Sequence, residues 1–169
     1  EQRLSAALRD GIELVQLRLT HDWVKANAQS YALEIMELCT RLCMLSSVKL
    51  QFNVPHQVET LTSNGIHLNS SRLLKTNHRP AGDIVSASCH GRQELEHAQS
   101  IGVDFAVLSP VQETRSHPGA RPLGWGAFEQ LVDDINIPVY ALGGVTAEDI
   151  EQAWRSGGQG VAAIGAFWN

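Results

Sequence analysis

The residues best suited to chemistry stand near the end of the chain, which reads IPVYALGGVTAEDIEQAWRSGGQGVAAIGAFWN from Ile137 onward. An apolar run, Ile137–Leu142, meets Gly143 and Gly144, and a second, Val161–Ile164, meets Gly165. Thr146 stands where a helix N-cap belongs, and Asp149 completes an imperfect capping box. Ile150, Ala153 and Trp154 share one face of the next helix, and Gly157-Gly158 ends it. The pattern predicts two successive strand–glycine–helix units. Each turn aims backbone N–H groups and a helix N-terminus at one point, which suits phosphate. In a parallel barrel a phosphate usually sits after the last two strands. The plainer use of such glycines is a tight turn; two of these turns in succession favour the phosphate.

Other polar residues are candidates by position. Alternation in Glu13–Leu19 puts Gln16 and Arg18 on one strand face. Facing a barrel mouth, such a pair marks a site; on an outer edge it is solvent decoration. The segment Pro110–Leu123 is a long loop rich in Pro, Gly, Thr, Ser and His, and loops of this kind are often functional. Its His117, beside Thr114, Arg115 and Ser116, has two readings: a phosphate donor or acid–base group, or an exposed loop histidine. His67 reads as a core or strand-end histidine. Cys89 and His90 are strand neighbours facing opposite ways, so they are no nucleophile–base pair, and Cys89 reads as packing. Trp125, Trp154 and Trp168 also read as packing. Glu94, Glu96, Asp133 and Asp134 read as solvated helix faces. No ligand spacing for a metal stands out.

The elements that must position these groups alternate strand and helix. A helix at Ser5–Arg9 stops at Gly11; the strand Glu13–Leu19 comes next; Asp22 is placed to cap a long helix, Trp23–Leu45. Then come a strand Val48–Phe52, a short helix from Pro55 to Leu61, a strand Ile66–Leu68 and a helical turn at Ser71–Lys75. The strand Ile84–Cys89, helix Gly91–Ser100, strand Val103–Ser109 and helix Trp125–Ile135 lead to the glycine-rich end. The alternation predicts a parallel sheet. Seven strands are counted, behind an opening helix. A closed barrel needs eight, and seven would leave an open seam. The expected fold is therefore α/β, a (β/α)8 TIM barrel whose first strand lies upstream of or is missing from the chain. Residues 1–169 are expected to form one domain, the C-terminal part of a longer chain. The runner-up is a doubly wound sheet, but no glycine fingerprint comes after the first strand.

Composition narrows the class. With 169 residues the chain is long enough for one well-buried core. The net charge of −5, without a basic run, argues against nucleic acid. No apolar run reaches the length of a membrane span, and EQRLSAALRD is no signal peptide. The cysteines, Cys39, Cys43 and Cys89, are odd in number and lack a CxxC pair, so neither a disulfide framework nor a zinc site is expected. A reducing cytoplasm fits best.

Five segments in order carry a resemblance: VQLRLT at Val15–Thr20, LQFN at Leu50–Asn53, GIHLNS at Gly65–Ser70, SASCH at Ser86–His90 and LSPVQETRSHPGA at Leu108–Ala120. With the terminal GG and GVAAIGA segments, the pattern resembles the thiamine-phosphate synthase family and its TenI-type thiazole tautomerase relatives. The long loop, continuing to GARPLGW, resembles the synthase-like domain fused behind a Nudix hydrolase in some bacteria, which implies an upstream Nudix partner; no Nudix motif lies in these residues. The resemblance implies a barrel that joins a pyrimidine methyl diphosphate to a thiazole phosphate and releases diphosphate, with magnesium. Arg18 would contact diphosphate and Gln16 stands beside it in the family's Gln-x-Arg-x-Lys motif, whose lysine is Thr20 here. Asn53 matches an asparagine holding pyrimidine and magnesium, but the aspartate after it is Val54. The second metal aspartate has no counterpart in Gly65–Arg72, although Arg72 stands where a substitute cation would meet diphosphate. Ser88 matches the family serine. Thr114 and Ser116 match the thiazole-phosphate threonines, and His117 stands for a lysine. Gly143 and Gly144, with Ile164 and Gly165, fall on the phosphate-binding turns. Mg2+ is thus expected from the family while its aspartate ligands are absent here. The alternatives are a degenerate, non-catalytic domain binding thiazole phosphate or thiamine phosphate, and a TenI-like tautomerase. Against the latter, Pro110 stands where tautomerases can carry a catalytic histidine, though His117 or His90 would be substitutes.

Overall fold

The computed structural model describes residues 2–9, 11–27, 29–54, 65–114 and 119–167. They fall into two compact units, Glu1–His67 with Ala81–Ile84, and Leu68–Pro80 with Val85–Asn169.

In the first unit, α1 (Gln2–Arg9) buries Leu4 and Ala7. It is followed by β1 (Leu14–Arg18), which runs parallel to β2 (Lys49–Asn53) in a register from Leu14↔Lys49 to Arg18↔Asn53. Val15 is buried while Gln16 and Arg18 are exposed on the opposite face. The third strand, β3 (Gly65–Leu68), joins β2 in parallel through Gln51↔Gly65. Gly65 is required by close approach. A Cβ there would overlap the Ile84 side chain and lie 2.8 Å from Gln51 Cγ and 2.9 Å from the Ile84 carbonyl oxygen.

The single helix expected at Trp23–Leu45 is two, α2 (His21–Asn27) and α3 (Gln29–Leu45). Asn27 turns its side-chain amide back onto the Trp23 carbonyl at 2.9 Å, a local bond that competes with the helical ladder. The expected cap also moves. Thr20 Oγ1 accepts from the Trp23 N–H at 3.2 Å, and Asp22 sits in the first turn, where its charge complements the helix dipole. Trp23 and Tyr31 stack across the break, 5.8 Å between ring centres. The short helix expected from Pro55 lies outside the described residues.

In the second unit, β4 (Val85–Cys89), β5 (Phe105–Leu108), β6 (Val139–Leu142) and β7 (Gly160–Ala162) are parallel, each paired with its successor. Val85, Ser86, Ala87 and Cys89 are all buried, as are Ala106, Val107 and Leu108, the near-continuous burial of strands covered on both faces. The covering helices are α4 (Ser70–Leu73), α5 (Arg92–Ser100), α6 (Gly124–Val132) and α7 (Ile150–Arg155). They bury Leu73, Leu95, Ala98, Phe128 and Ala153.

Two expectations are corrected here. The helix predicted to reach Ile135 ends at Val132, where Arg92 donates to the carbonyls of Gln130 (2.8 Å) and Asp133 (2.7 Å) and closes the last turn. Trp154 is not packing: it is 59 % exposed, its indole N–H donates to the Gln159 carbonyl, and Ser156 takes the buried place instead. Trp125 does pack, edge-on to Phe128. Trp168 lies outside the described residues.

Seven parallel strands are present among the described residues, and in neither unit does their order reverse as a doubly wound sheet requires. The fold is α/β, of the barrel kind expected.

Candidate phosphate-binding site

The loops after β5 and β6 are fastened together. Backbone N–H groups of Val111 and Gln112 donate to the carbonyls of Leu142 and Gly143, both at 2.9 Å. Leu123 and Gly124 return to donate to Pro110 and Val111. Val111 is fully buried, so the first half of the long loop is fixed at its root. Gly143 and Gly144 have φ of +93° and +74°, a region open to glycine. They also admit the loop itself. A Cβ on Gly143 would lie 2.8 Å from Pro110 Cα, and one on Gly144 would overlap the Glu113 carbonyl oxygen.

Thr146 begins the next helical segment as expected. Its Oγ1 accepts from Glu148 N–H at 3.3 Å, and Asp149 Oδ2 accepts from Thr146 N–H at 2.8 Å, so both halves of the capping box form. The segment opens as a 3-10 turn, Ala147–Asp149, before α7. Asp149 Oδ1 accepts from Gln112 Nε2 at 2.9 Å, tying the capping box to the neighbouring loop. Gly165 opens a second 3-10 turn, Gly165–Phe167, and Ile164 before it is 54 % exposed.

The other expected site residues divide between the units. In the first, Gln16 and Arg18 share an exposed face, and Arg18 is the register partner of half-buried Asn53. Thr20, at the family's lysine position, is used as a helix cap, and Val54, at its aspartate position, is 3 % exposed. In the second, Ser88 is half-buried near the end of β4 and Thr114 half-buried in the loop. Ser116 and His117 lie outside the described residues. His67 is 1 % exposed, a core histidine.

Sequence reasoning missed the contacts made here by Glu94, His90 and Gln112. Glu94, read as a solvated helix face, accepts from Ser70 Oγ and from the His90 backbone N–H, each at 2.5 Å. The His90 ring meets the Ser109 carbonyl through Nδ1 at 2.9 Å. Gln112 carries no sequence signal, because its partner is distant in the chain. For Glu94 a signal existed: the stretch after β4 begins with Gly91, which has no side chain to cap, and a first-turn carboxylate is a ready acceptor.

Among the described residues the acidic side chains are not grouped to hold a divalent metal: no group of three or more His, Cys, Asp or Glu is so placed. Two carboxylates near the strand ends already have partners: Asp149 with Gln112 and Thr146, and Glu94 with Ser70 and His90. The thiols are no better suited to chemistry. Burial, with the Glu94 charge adding to it, pushes Cys89 up to about 12, and burial with Cys39 pushes Cys43 up to about 11.

Parallel strands in chain order with intervening helices define a protein of the (β/α)-barrel class. A solved structure of like fold is the thiamine phosphate pyrophosphorylase from Pyrococcus furiosus, TM-score 0.78 over 96 % of this chain and 77 % of that one, at 20 % identity. The family model for thiamine monophosphate synthase (TMP-TENI) matches residues 1–167. The "Putative thiamine-phosphate synthase 2" of Aquifex aeolicus is 32 % identical over 168 residues, 98 % of this chain and 88 % of the relative. The thiamine-phosphate synthase of Prochlorococcus marinus strain AS9601 is 30 % identical over 164 residues, but the chain spans only 45 % of its length. The chain belongs to the thiamine monophosphate synthase family, a family of thiamine biosynthesis. Membership implies phosphorylated small molecules as substrates. No helix among the described residues is long and apolar enough to cross a membrane.

Proposed function

We propose that this chain joins a pyrimidine methyl diphosphate to thiazole phosphate and releases diphosphate. The observation that carries the reading is the glycine pair Gly143-Gly144, closed over by the Pro110–Glu113 backbone and succeeded by a capped helical start. In this reading the amides at Gly143, Gly144 and Gly165, with Thr114 and Ser116, bind the thiazole phosphate. The C–O bond to diphosphate breaks with its electron pair leaving on the diphosphate. The thiazole nitrogen lone pair then forms the C–N bond to the methylene carbon. Arg18 receives the departing oxygens, where its planar fork suits paired acceptors. The family resemblance assigns Asn53 and Gln16 to the pyrimidine and gives Ser88 and His117 as further polar candidates, His117 lying outside the described residues.

A second reading is favoured by Thr20 and Val54 standing where the family has a lysine and an aspartate. In it the chain is a non-catalytic thiazole phosphate-binding domain, attached to an upstream Nudix hydrolase. One experiment separates the two: calorimetric titration with thiazole phosphate and with diphosphate, each with and without Mg2+, alongside a diphosphate-release assay with both substrates. Turnover supports the synthase. Thiazole phosphate binding without turnover supports the binding domain. Absence of thiazole phosphate binding overturns both.

A further inference from the structure

We propose that His90 is a positioning residue for the loop after β5, holding its root by a ring-to-backbone bond that takes over where the β4–β5 ladder stops; the consequence for ligand rests on the phosphate-site reading above.

The backbone ladder between the two strands pairs Cys89 with Leu108 and ends with Ser109 N–H donating to the Cys89 carbonyl at 3.0 Å. In that register the next ladder donor to the Ser109 carbonyl would be the Gly91 N–H; the His90 N–H points to the other side of the strand, where Glu94 Oε2 accepts it at 2.5 Å. The Ser109 carbonyl receives the His90 ring instead, from Nδ1 at 2.9 Å. A carbonyl only accepts, so Nδ1 carries the proton in this contact. Ser109 Oγ, 3.4 Å from the same nitrogen, is then a second, longer acceptor.

The bond matters because of the residues next to Ser109 in the loop. Pro110 lies against the Gly143 turn and Glu113 against Gly144, with no room for a methyl group at either glycine. Val111 and Gln112 donate into the β6 end immediately afterwards. A displacement at Ser109 is thus passed to the glycine pair within three residues. Glu94 fixes the other end. Its two oxygens hold His90 N–H and Ser70 Oγ, so the histidine backbone is anchored while its ring reaches across.

The test compares His90→Ala, His90→Asn and His90→Gln. The asparagine amide nitrogen stands as far from Cβ as Nδ1 does; the glutamine amide stands where Nε2 would. Two quantities are read on each: hydrogen exchange of the Val111 and Gln112 amides, and the dissociation constant for thiazole phosphate. The alanine variant is expected to speed exchange and weaken binding, each about five- to tenfold. Asparagine is expected to restore both to within about threefold, and glutamine neither, with any kcat change tracking occupancy rather than preceding it. Rescue by glutamine and not asparagine overturns the proposal, because the acting atom is then Nε2. Wild-type exchange in the alanine variant overturns it as well. Should that variant fail to fold, long-range proton–nitrogen NMR on the wild type decides: a proton on Nε2 alone excludes the bond. Loss of thiazole phosphate binding by the wild type itself would sink the functional reading, while amide exchange would still decide the tether.

Discussion

Gln112 and Asp149 meet side chain to side chain, Nε2 to Oδ1 at 2.9 Å, while the other oxygen of the same carboxylate holds the Thr146 N–H at 2.8 Å. One carboxylate therefore joins the loop after β5 to the helical start after β6. Removing it leaves a cap half-made and a half-buried amide short of an acceptor. Asp149→Ala is expected to cost about 2 kcal/mol and Gln112→Ala about 1 kcal/mol in denaturant melts. The double variant should cost less than the sum, by about 1 kcal/mol, because both singles remove one bond. Simple additivity would show that the bond contributes nothing.

Gly144→Ala meets two obstacles at once: a backbone at φ +74° and a methyl group directed into the Glu113 carbonyl. It should cost about 2–3 kcal/mol and weaken thiazole phosphate binding more than tenfold by calorimetry. Gly126, in α6, has open space around its Cβ position and no such backbone constraint. Gly126→Ala should raise stability by about 0.5–1 kcal/mol. The opposite signs separate constrained glycines from incidental ones.

Thr20→Lys exchanges a helix cap for the cation that the family carries. The loss of the Oγ1 bond to Trp23 N–H predicts a stability cost of about 1 kcal/mol. The gain of charge beside Arg18 predicts tighter diphosphate binding, by about three- to tenfold at low salt and less as salt rises. A lysine that leaves diphosphate affinity unchanged would show that this end of β1 is not where diphosphate sits.

The raised thiol pKa values set two expectations. Cys89, at about 12, and Cys43, at about 11, should resist thiol reagents at pH 8 in the native protein and react fully once it unfolds. Half-buried Cys39, raised less far, should react first. Stability is affected on the alkaline side. Above the unfolded thiol value of 9.0 the unfolded chain loses its protons while the folded chain keeps them. Stability therefore falls as pH rises from 9.0 toward about 12, and guanidinium midpoints across that range should drop in step. A Cys89→Ser, Cys43→Ser variant should lose most of that alkaline slope.

Much of the architecture is legible in local pattern. Local pattern locates the seven described strands to within a few residues: alternation marks β1, whose Gln16 and Arg18 are exposed, and apolar runs mark the strands covered on both faces. The Thr146–Asp149 cap is legible because its partners are three residues apart. The features that escape depend on contacts distant in sequence. The Gln112 to Asp149 and His90 to Ser109 bonds join segments that only the fold brings together. The helix face of Glu94 alone suggests solvent, whereas its partners are a turn and a strand end. The split at Asn27 escapes because a side-chain amide that bonds its own helix leaves the apolar period intact. Trp154 shows the same limit in reverse: its apolar ring suggests an inward place, whereas its N–H needs the Gln159 carbonyl and small Ser156 takes the interior.

The tight meeting of β3 with the residue before β4 has a bearing on how this chain tolerates change. Position 65 has the Gln51 stem on one side and Ile84, side chain and carbonyl both, on the other. Two of those neighbours are a backbone atom and a branched stem, which cannot swing aside. In a saturation library selected for soluble expression, codons at this position should collapse to glycine, whereas those for nearby Asn69 and Ser71 should remain mixed. An enrichment profile would thus mark this strand crossing without any structural probe.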